Sequence, residues 1–161
     1  MAARFEGVFT VDTPQEQAFV VLADAGRFSP LLPTYLSHEL REDGTSDVAV
    51  KVGVGKIRGT AVVNLELSSS EAPRAATWTG KGKIMGGAFN LTAAFDLDDA
   101  GGGRTTVRWN GELTIFGKLM SLAGGLIEPI ARKQIQELVD AIQSALSQNS
   151  ESANVQQPGT A

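Results

Sequence analysis

The sequence predicts an α+β domain in which a strongly curved, seven-stranded antiparallel sheet wraps around a long C-terminal helix. Three observations lead to this fold. One alternating segment precedes a short helical region, six alternating segments then follow one another across short turns, and a long stretch with helical apolar spacing comes last. Strands joined by tight turns pair antiparallel. Because each strand has one apolar face, the sheet needs a helix to cover it, which is the helix-grip architecture.

The N-terminal segment alternates and then changes to helical spacing. Phe5 and Phe9 share one face of the first predicted strand. Thr13 is expected to cap the following helix, with Pro14 at its first position and Glu16 completing a capping box. This predicts a strand followed by a short helix.

Six further strands are predicted from clean alternation of apolar and polar residues. Polar turns at 42–45 and 98–103 separate some of them. The inward faces are expected to begin at Leu36, Val48, Ile57, Ala76, Phe89 and Val107.

Residues 117–147 have apolar side chains at helical spacing. A straight helix of that length would measure about 45 Å, which is long for one small core. The apolar stripe changes direction at Pro129, a helix-breaking residue, so two helical pieces are expected. We expect the sheet to grip residues 131–146, and residues 119–130 to form the lid or wall of a ligand tunnel. The polar segment 148–161 is predicted to be a disordered tail, which leaves a single domain over 1–147.

The composition of the chain argues against several classes of function. The net charge is −4 and the pI is near 5.0, which disfavours nucleic-acid binding. Without cysteine and with one histidine, the chain offers no thiolate chemistry, no obvious catalytic triad and no clustered metal ligands, so no enzyme activity is expected. The N-terminus resembles no signal peptide and no apolar run is long enough to span a membrane, which predicts a cytoplasmic protein.

A basic cluster near two predicted turns is the feature that could contact a membrane. Lys56, Arg58, Lys81 and Lys83 form either a solvated rim or a docking patch for an acidic partner or anionic lipid. Peripheral contact with the inner face of the cell membrane is therefore kept as an expectation.

Glycines on the inward faces of strands suggest either bending of the sheet or an internal cavity, and both can hold. The inward glycines are Gly59, Gly80, Gly82 and Gly111. His38 is the polar candidate: it is either a core or rim residue, or a donor to a ligand carbonyl oxygen. The predicted ligand-binding residues are Phe28, Leu32, His38, Trp78, Phe89, Leu91, Trp109, Leu113, Leu119, Leu122 and Leu126.

Residues 50–60 read VKVGVGKIRGT, and this run resembles the signature of the CoxG family of carbon monoxide dehydrogenase subunits, a branch of the START-like SRPBCC superfamily. The resemblance covers residues 5–146. The sequence departs from the family pattern at Pro129, at His38 and in the polar tail. Supporting positions are Gly7, Phe9, Pro14, Leu32-Pro33, Gly80-Lys81-Gly82, Gly117-Lys118-Leu119 and Ala131-Arg132-Lys133.

The resemblance implies a START-like helix-grip fold with a hydrophobic cavity and no catalysis. It also implies association with a molybdenum carbon monoxide dehydrogenase and with the membrane. The cavity is then expected to hold a respiratory quinone such as menaquinone, which carries electrons to the membrane chain. Two alternatives remain: an adaptor or assembly factor that recruits the dehydrogenase without a bound ligand, and an enzyme acting on polyketide-like substrates.

Overall fold

A computed structural model describes residues 2–54, 57–84, 86–118 and 124–156. Its seven strands form one antiparallel sheet in the order β1-β7-β6-β5-β4-β3-β2. The predicted fold is confirmed. The strands are β1 Ala2–Val11, β2 Tyr35–Leu40, β3 Ser46–Val54, β4 Ile57–Glu71, β5 Ala75–Ile84, β6 Gly87–Gly101 and β7 Arg104–Gly117.

The helices lie between β1 and β2 and at the C-terminal end of the described chain. A short 3₁₀ turn precedes the last helix at Gly124–Leu126, and another follows α2 at Ser29–Leu31. The helices are α1 Gln15–Leu22, α2 Ala25–Phe28 and α3 Ile127–Gln156.

The predicted capping box of α1 does not form. Pro14 occupies the N-cap position, and no side chain caps the helix. The Thr13 hydroxyl instead donates a buried hydrogen bond of 2.8 Å to the carbonyl oxygen of Leu146 in α3. This long-range bond joins the end of β1 to the last buried turn of the helix.

α3 is continuous through Pro129, so the predicted division of the helix at that residue is wrong. The helix begins at Ile127, which places Pro129 in its first turn. Backbone N–H groups there have no intrahelical partner, so a proline costs no hydrogen bond. A 3₁₀ turn, Gly124–Leu126, directly precedes the helix. The helix runs on to Gln156, so the boundary expected at residue 147 falls inside it.

Two apolar clusters hold α3 against the sheet. The larger one includes Ile142 and Leu146, whose side chains are essentially fully buried together with Leu22 of α1. The smaller cluster includes Ile127 at the start of α3 and Ile115 of β7. The helix is thus packed near its start and near residue 146, with the cavity described below between those two regions.

Two of the inward glycines make room for large neighbours rather than for empty space. A Cβ atom added at Gly82 would lie 2.3 Å from the end of the Phe89 ring. One added at Gly80 would lie 3.0 Å from atoms of Leu65 and Leu91. Gly59, expected to face inward, is exposed with a φ of 139°. Gly80 and Gly82 therefore let side chains of neighbouring strands lie close to the sheet.

No helix in the described ranges has the length and apolar character needed to cross a bilayer.

Candidate functional site

A cavity of about 430 Å³ lies between the concave face of the sheet and α3. Its wall is almost entirely apolar, and all seven strands except β2 contribute to it. Seven of the residues predicted to bind a ligand line this cavity: Phe28, Leu32, Trp78, Phe89, Leu91, Trp109 and Leu113.

His38 does not line the cavity. Its Nδ1 lies 2.6 Å from the Tyr35 hydroxyl, and the neighbouring Leu36 and Leu40 are exposed. β2 is irregular at Leu36. Tyr35 pairs with Val50 but Ser37 pairs with the next residue of β3, so the chain has one extra residue at Leu36. The bulge turns Leu36 outward, whereas His38 pairs with the buried Val48 and so keeps the inward parity. Its ring lies beside Gly26 of α2 rather than in the cavity.

The remaining predicted residues come from the segment before α3. Leu126 lies in the 3₁₀ turn, is about half exposed at 48% and does not line the cavity. Leu119 and Leu122 lie outside the described residues.

The helical wall of the cavity comes from α3 itself. Its cavity-facing residues recur every three to four positions: Ile127, Ile130, Ala131, Gln134, Ile135, Leu138, Val139 and Ile142. The prediction that residues 119–130 alone would form this wall, and the gripped half would not, is therefore wrong. The apolar stripe at 130–142 is visible in the sequence, where its spacing predicts core packing against the sheet.

Aromatic rings form the floor of the cavity near α2. The rings of Phe28 and Trp78 are stacked, with centroids 5.9 Å apart and an interplanar angle of 9°. Phe95 meets the edge of Phe28 at the same centroid distance. Trp78 is held in place because its indole N–H donates a buried hydrogen bond of 2.7 Å to the carbonyl oxygen of Leu22. This end of the cavity therefore presents a flat aromatic surface.

Exposed residues in β3 and in the loop before β2 mark an opening of the cavity. Thr34, Lys51 and Gly53 are exposed and line the cavity. The Thr34 hydroxyl donates to the Lys51 carbonyl at 2.7 Å, and the Lys51 N–H donates to the Thr34 carbonyl at 3.0 Å. These two bonds fix the loop before β2 to β3, so the rim is held on that side.

A different contact closes the cavity where α3 meets β1. The Arg132 guanidinium lies over the Phe5 ring at 5.1 Å from its centroid. The same side chain donates to Glu128 at 2.9 Å, one turn earlier in the helix. Both contacts keep α3 against β1, and cation–π contacts of this kind are modestly favourable.

The site offers little that could perform acid–base or metal chemistry. Within the described ranges there is no group of three His, Asp or Glu residues placed to hold a metal ion. The carboxyl groups with lowered pKa values lie in the β2–β3 turn and at the start of β3, and neither lines the cavity. Hydrogen bonds from Thr45 lower the pKa of Asp43, and one from Asn64 lowers the pKa of Asp47. The cavity is suited to holding an apolar molecule.

A family model for CoxG, a subunit of carbon monoxide dehydrogenase, matches residues 7–147, nearly the whole described chain. The chain belongs to the CoxG family. The resemblance inferred from residues 50–60 is thus confirmed. No curated protein matches the sequence.

Solved structures confirm the START-like fold of this CoxG-family protein. A conserved protein from Geobacillus kaustophilus superposes with a TM-score of 0.80 at 16% identity, over 91% of this chain and 96% of that one. A START superfamily protein from Mycobacterium smegmatis gives 0.66 at 12% identity, over 90% and 97%. The Zhui aromatase/cyclase from Streptomyces sp. R1128 gives 0.61 at 16% identity, over 94% of each chain. At these identities the likeness concerns the fold alone.

Proposed function

We propose that this CoxG-family protein is a non-catalytic carrier that binds a hydrophobic ligand in the cavity between the sheet and α3. The observation that carries the proposal is the apolar cavity of about 430 Å³. Small-molecule sites typically enclose about 300–1,000 Å³ and combine an apolar wall with few polar groups. A protein that served only as an adaptor would have no need of this space, and filling it would make the core more stable.

The ligand that suits this cavity best is a respiratory quinone such as menaquinone. The stacked rings of Phe28 and Trp78 provide a flat apolar surface for a fused ring. The opening at Thr34 and Lys51 gives a long isoprenoid tail a way out of a cavity too small to hold it all. A quinone is uncharged in both its oxidised and reduced forms, so an apolar wall can hold either one without burying a charge.

The partner proposed for this carrier is a molybdenum carbon monoxide dehydrogenase. The support is the family itself, which is named for a subunit of carbon monoxide dehydrogenase. The bound quinone would accept electrons from the dehydrogenase and deliver them to the electron-transport chain at the inner face of the cell membrane.

The fold also occurs in the Zhui aromatase/cyclase, so an enzyme is the competing function. The cavity wall argues against it. Its charged residues in the described chain are Lys51 and Glu112. Lys51 is exposed at the rim, and Glu112 is paired with Arg4 at 2.8 Å. Neither is placed as a general acid or base inside the cavity.

The test is native mass spectrometry of the protein purified from its own host, followed by solvent extraction. We expect wild-type protein to carry a quinone or a related lipid. The variant Ala93→Phe should carry none, because Ala93 lines the cavity and a phenyl group would occupy the ligand's space. Its affinity for added quinone should fall by about tenfold or more, equivalent to about 1.4 kcal/mol.

Ala94→Phe is the matched control, because Ala94 follows Ala93 in β6 and faces the opposite side of the sheet. It should retain the ligand. If wild-type protein carried no ligand and bound no added quinone, the carrier function would be ruled out. If Ala93→Phe bound as well as Ala94→Phe, the ligand would lie elsewhere.

A further inference from the structure

Apart from the indole N–H groups of Trp78 and Trp109, the described cavity wall includes five residues with polar side chains: Thr34, Lys51, Thr92, Glu112 and Gln134. Lys51, Thr92 and Glu112 alternate with inward-facing residues of their strands, so their side chains lie on the outer face of the sheet. The Thr34 hydroxyl is bonded to the Lys51 carbonyl at the rim. Besides the tryptophan indoles, Gln134 is therefore the polar side chain of the described wall whose position gives it access to the interior.

Gln134 lies in the middle of the apolar stripe of α3. Ile130 precedes it by one turn and Leu138 follows by one turn, and both line the cavity. The side chain is half-buried. Its amide makes no hydrogen bond to any residue that the structure describes, whereas Gln136 and Gln143 of the same helix each donate one.

An unpaired amide is an unusual component of an apolar wall. It has two N–H donors and a carbonyl acceptor, and a bound ligand that covered these groups without pairing them would impose a free-energy cost. An aliphatic residue at this position would complete the stripe. The amide is thus explained if the ligand brings a polar atom of its own to this point of the cavity.

We propose that the Gln134 amide is the polar recognition point for the ligand, donating a hydrogen bond to a carbonyl oxygen on its ring. This inference rests on the carrier function proposed above and narrows the ligand to an apolar molecule with an oxygen on its ring. The ring then lies beside the middle of α3, between the helix and the aromatic residues, with the tail directed to the opening at Lys51.

The same amide suits both redox states of a quinone. Its N–H group donates to the carbonyl oxygen of the oxidised form. Its carbonyl oxygen accepts from the hydroxyl group of the reduced form. A lysine could only donate and a carboxylate could only accept, so either would favour one state over the other. Gln134 therefore allows the carrier to retain its ligand through reduction and to release it in either form.

The experiment compares wild type with Gln134→Leu, which keeps the size of the side chain and removes the amide. The probes are a short-tailed menaquinone and the naphthalene hydrocarbon that carries the same tail but no oxygen. Quinone binding is followed by quenching of Trp78 and Trp109, which both line the cavity. The hydrocarbon is measured by displacement of the quinone. Gln136→Leu is the matched control, because Gln136 is exposed and bonded to Asp140.

We expect Gln134→Leu to bind the quinone about five- to tenfold more weakly, the size of one neutral hydrogen bond. Its affinity for the hydrocarbon should be unchanged or higher, and Gln136→Leu should bind both probes as wild type does. The infrared carbonyl stretch of the bound quinone should lie lower in wild type than in Gln134→Leu, which a merely structural role would not produce.

The outcomes separate the two proposals. If Gln134→Leu bound the quinone as tightly as wild type, with the same carbonyl stretch, the recognition role would be overturned and the carrier function would stand. If wild type bound neither probe, the carrier function itself would be overturned.

Discussion

Gly82 leaves room for the Phe89 ring on the inner face of the sheet. The ring lies over the glycine, and a Cβ atom there would be 2.3 Å from its Cζ. Because both residues are paired across β5 and β6, the ring has to move rather than the backbone. The free direction for that movement is into the cavity that Phe89 lines.

Gly82→Ala should therefore affect both stability and binding. We expect the free energy of unfolding to fall by about 1–2 kcal/mol, the cost of a modest overpacking reduced by the lower entropy of the unfolded chain. Ligand affinity should fall as well, because the displaced ring takes up cavity volume. Urea denaturation and quinone titration measure the two effects.

Gly26→Ala serves as the control for this prediction. Gly26 is exposed in α2, and a Cβ atom there would make no contact closer than 3.4 Å. It should leave stability unchanged or raise it by about 0.4–1 kcal/mol. A Gly82→Ala variant that was as stable as Gly26→Ala and bound ligand normally would show that Phe89 has another way to move.

At the scale of elements, α3 packs into the core near residue 146 and is bonded there to residues at the end of β1. Its Leu146 and Ile142 side chains are fully buried, and the Leu146 carbonyl accepts the Thr13 hydroxyl bond. The Gln143 amide also donates to the Thr10 carbonyl at 3.1 Å. These contacts show that the helix remains part of the core as far as residue 146.

Truncation after Ser147 should leave the melting temperature unchanged, because the contacts that hold α3 to β1 precede that residue. Leu146→Ala in the full chain should instead lower the free energy of unfolding by about 2–5 kcal/mol, the cost of a buried cavity. Thermal and urea unfolding compare the two. A truncation as damaging as Leu146→Ala would mean that residues 148–161 contribute to the folded domain.

The strands were predictable because each buries one face, which imposes a simple alternation on β3 to β7. The same rule failed at the edge strand β2, where a bulge adds one residue and leaves Leu36 exposed, although His38 still pairs with the buried Val48. Nothing in the residue types near His38 signals that extra residue. The number of strands and their antiparallel pairing could thus be predicted from the sequence. The register of the edge strand could not.

The site was partly predictable for a related reason. Aromatic residues such as Trp78 and Trp109 stand out on inward faces, but a helical stripe looks the same whether it packs against side chains or against a cavity. The α3 wall and Gln134 were missed on that account. Pro129 was misread because its effect depends on where the helix begins, which sequence patterns locate poorly.

At the scale of the whole molecule, the proposed carrier should work between two other systems. Protein loaded with menaquinone, mixed with the purified molybdenum dehydrogenase and carbon monoxide, should show loss of the quinone absorbance. The Ala93→Phe variant should not support this reduction, because its cavity is filled. Equal rates with the two proteins would mean that the dehydrogenase reduces free quinone without the carrier.

The position of β1 at the sheet edge next to β7 has a consequence for synthesis. Ala2 pairs with Thr114, so the first strand to leave the ribosome waits for the last one before it can join the sheet. α3, which supplies one wall of the cavity, is made later still. Contacts between such distant segments form late and slowly. The cavity therefore cannot close in the nascent chain until α3 has been synthesised.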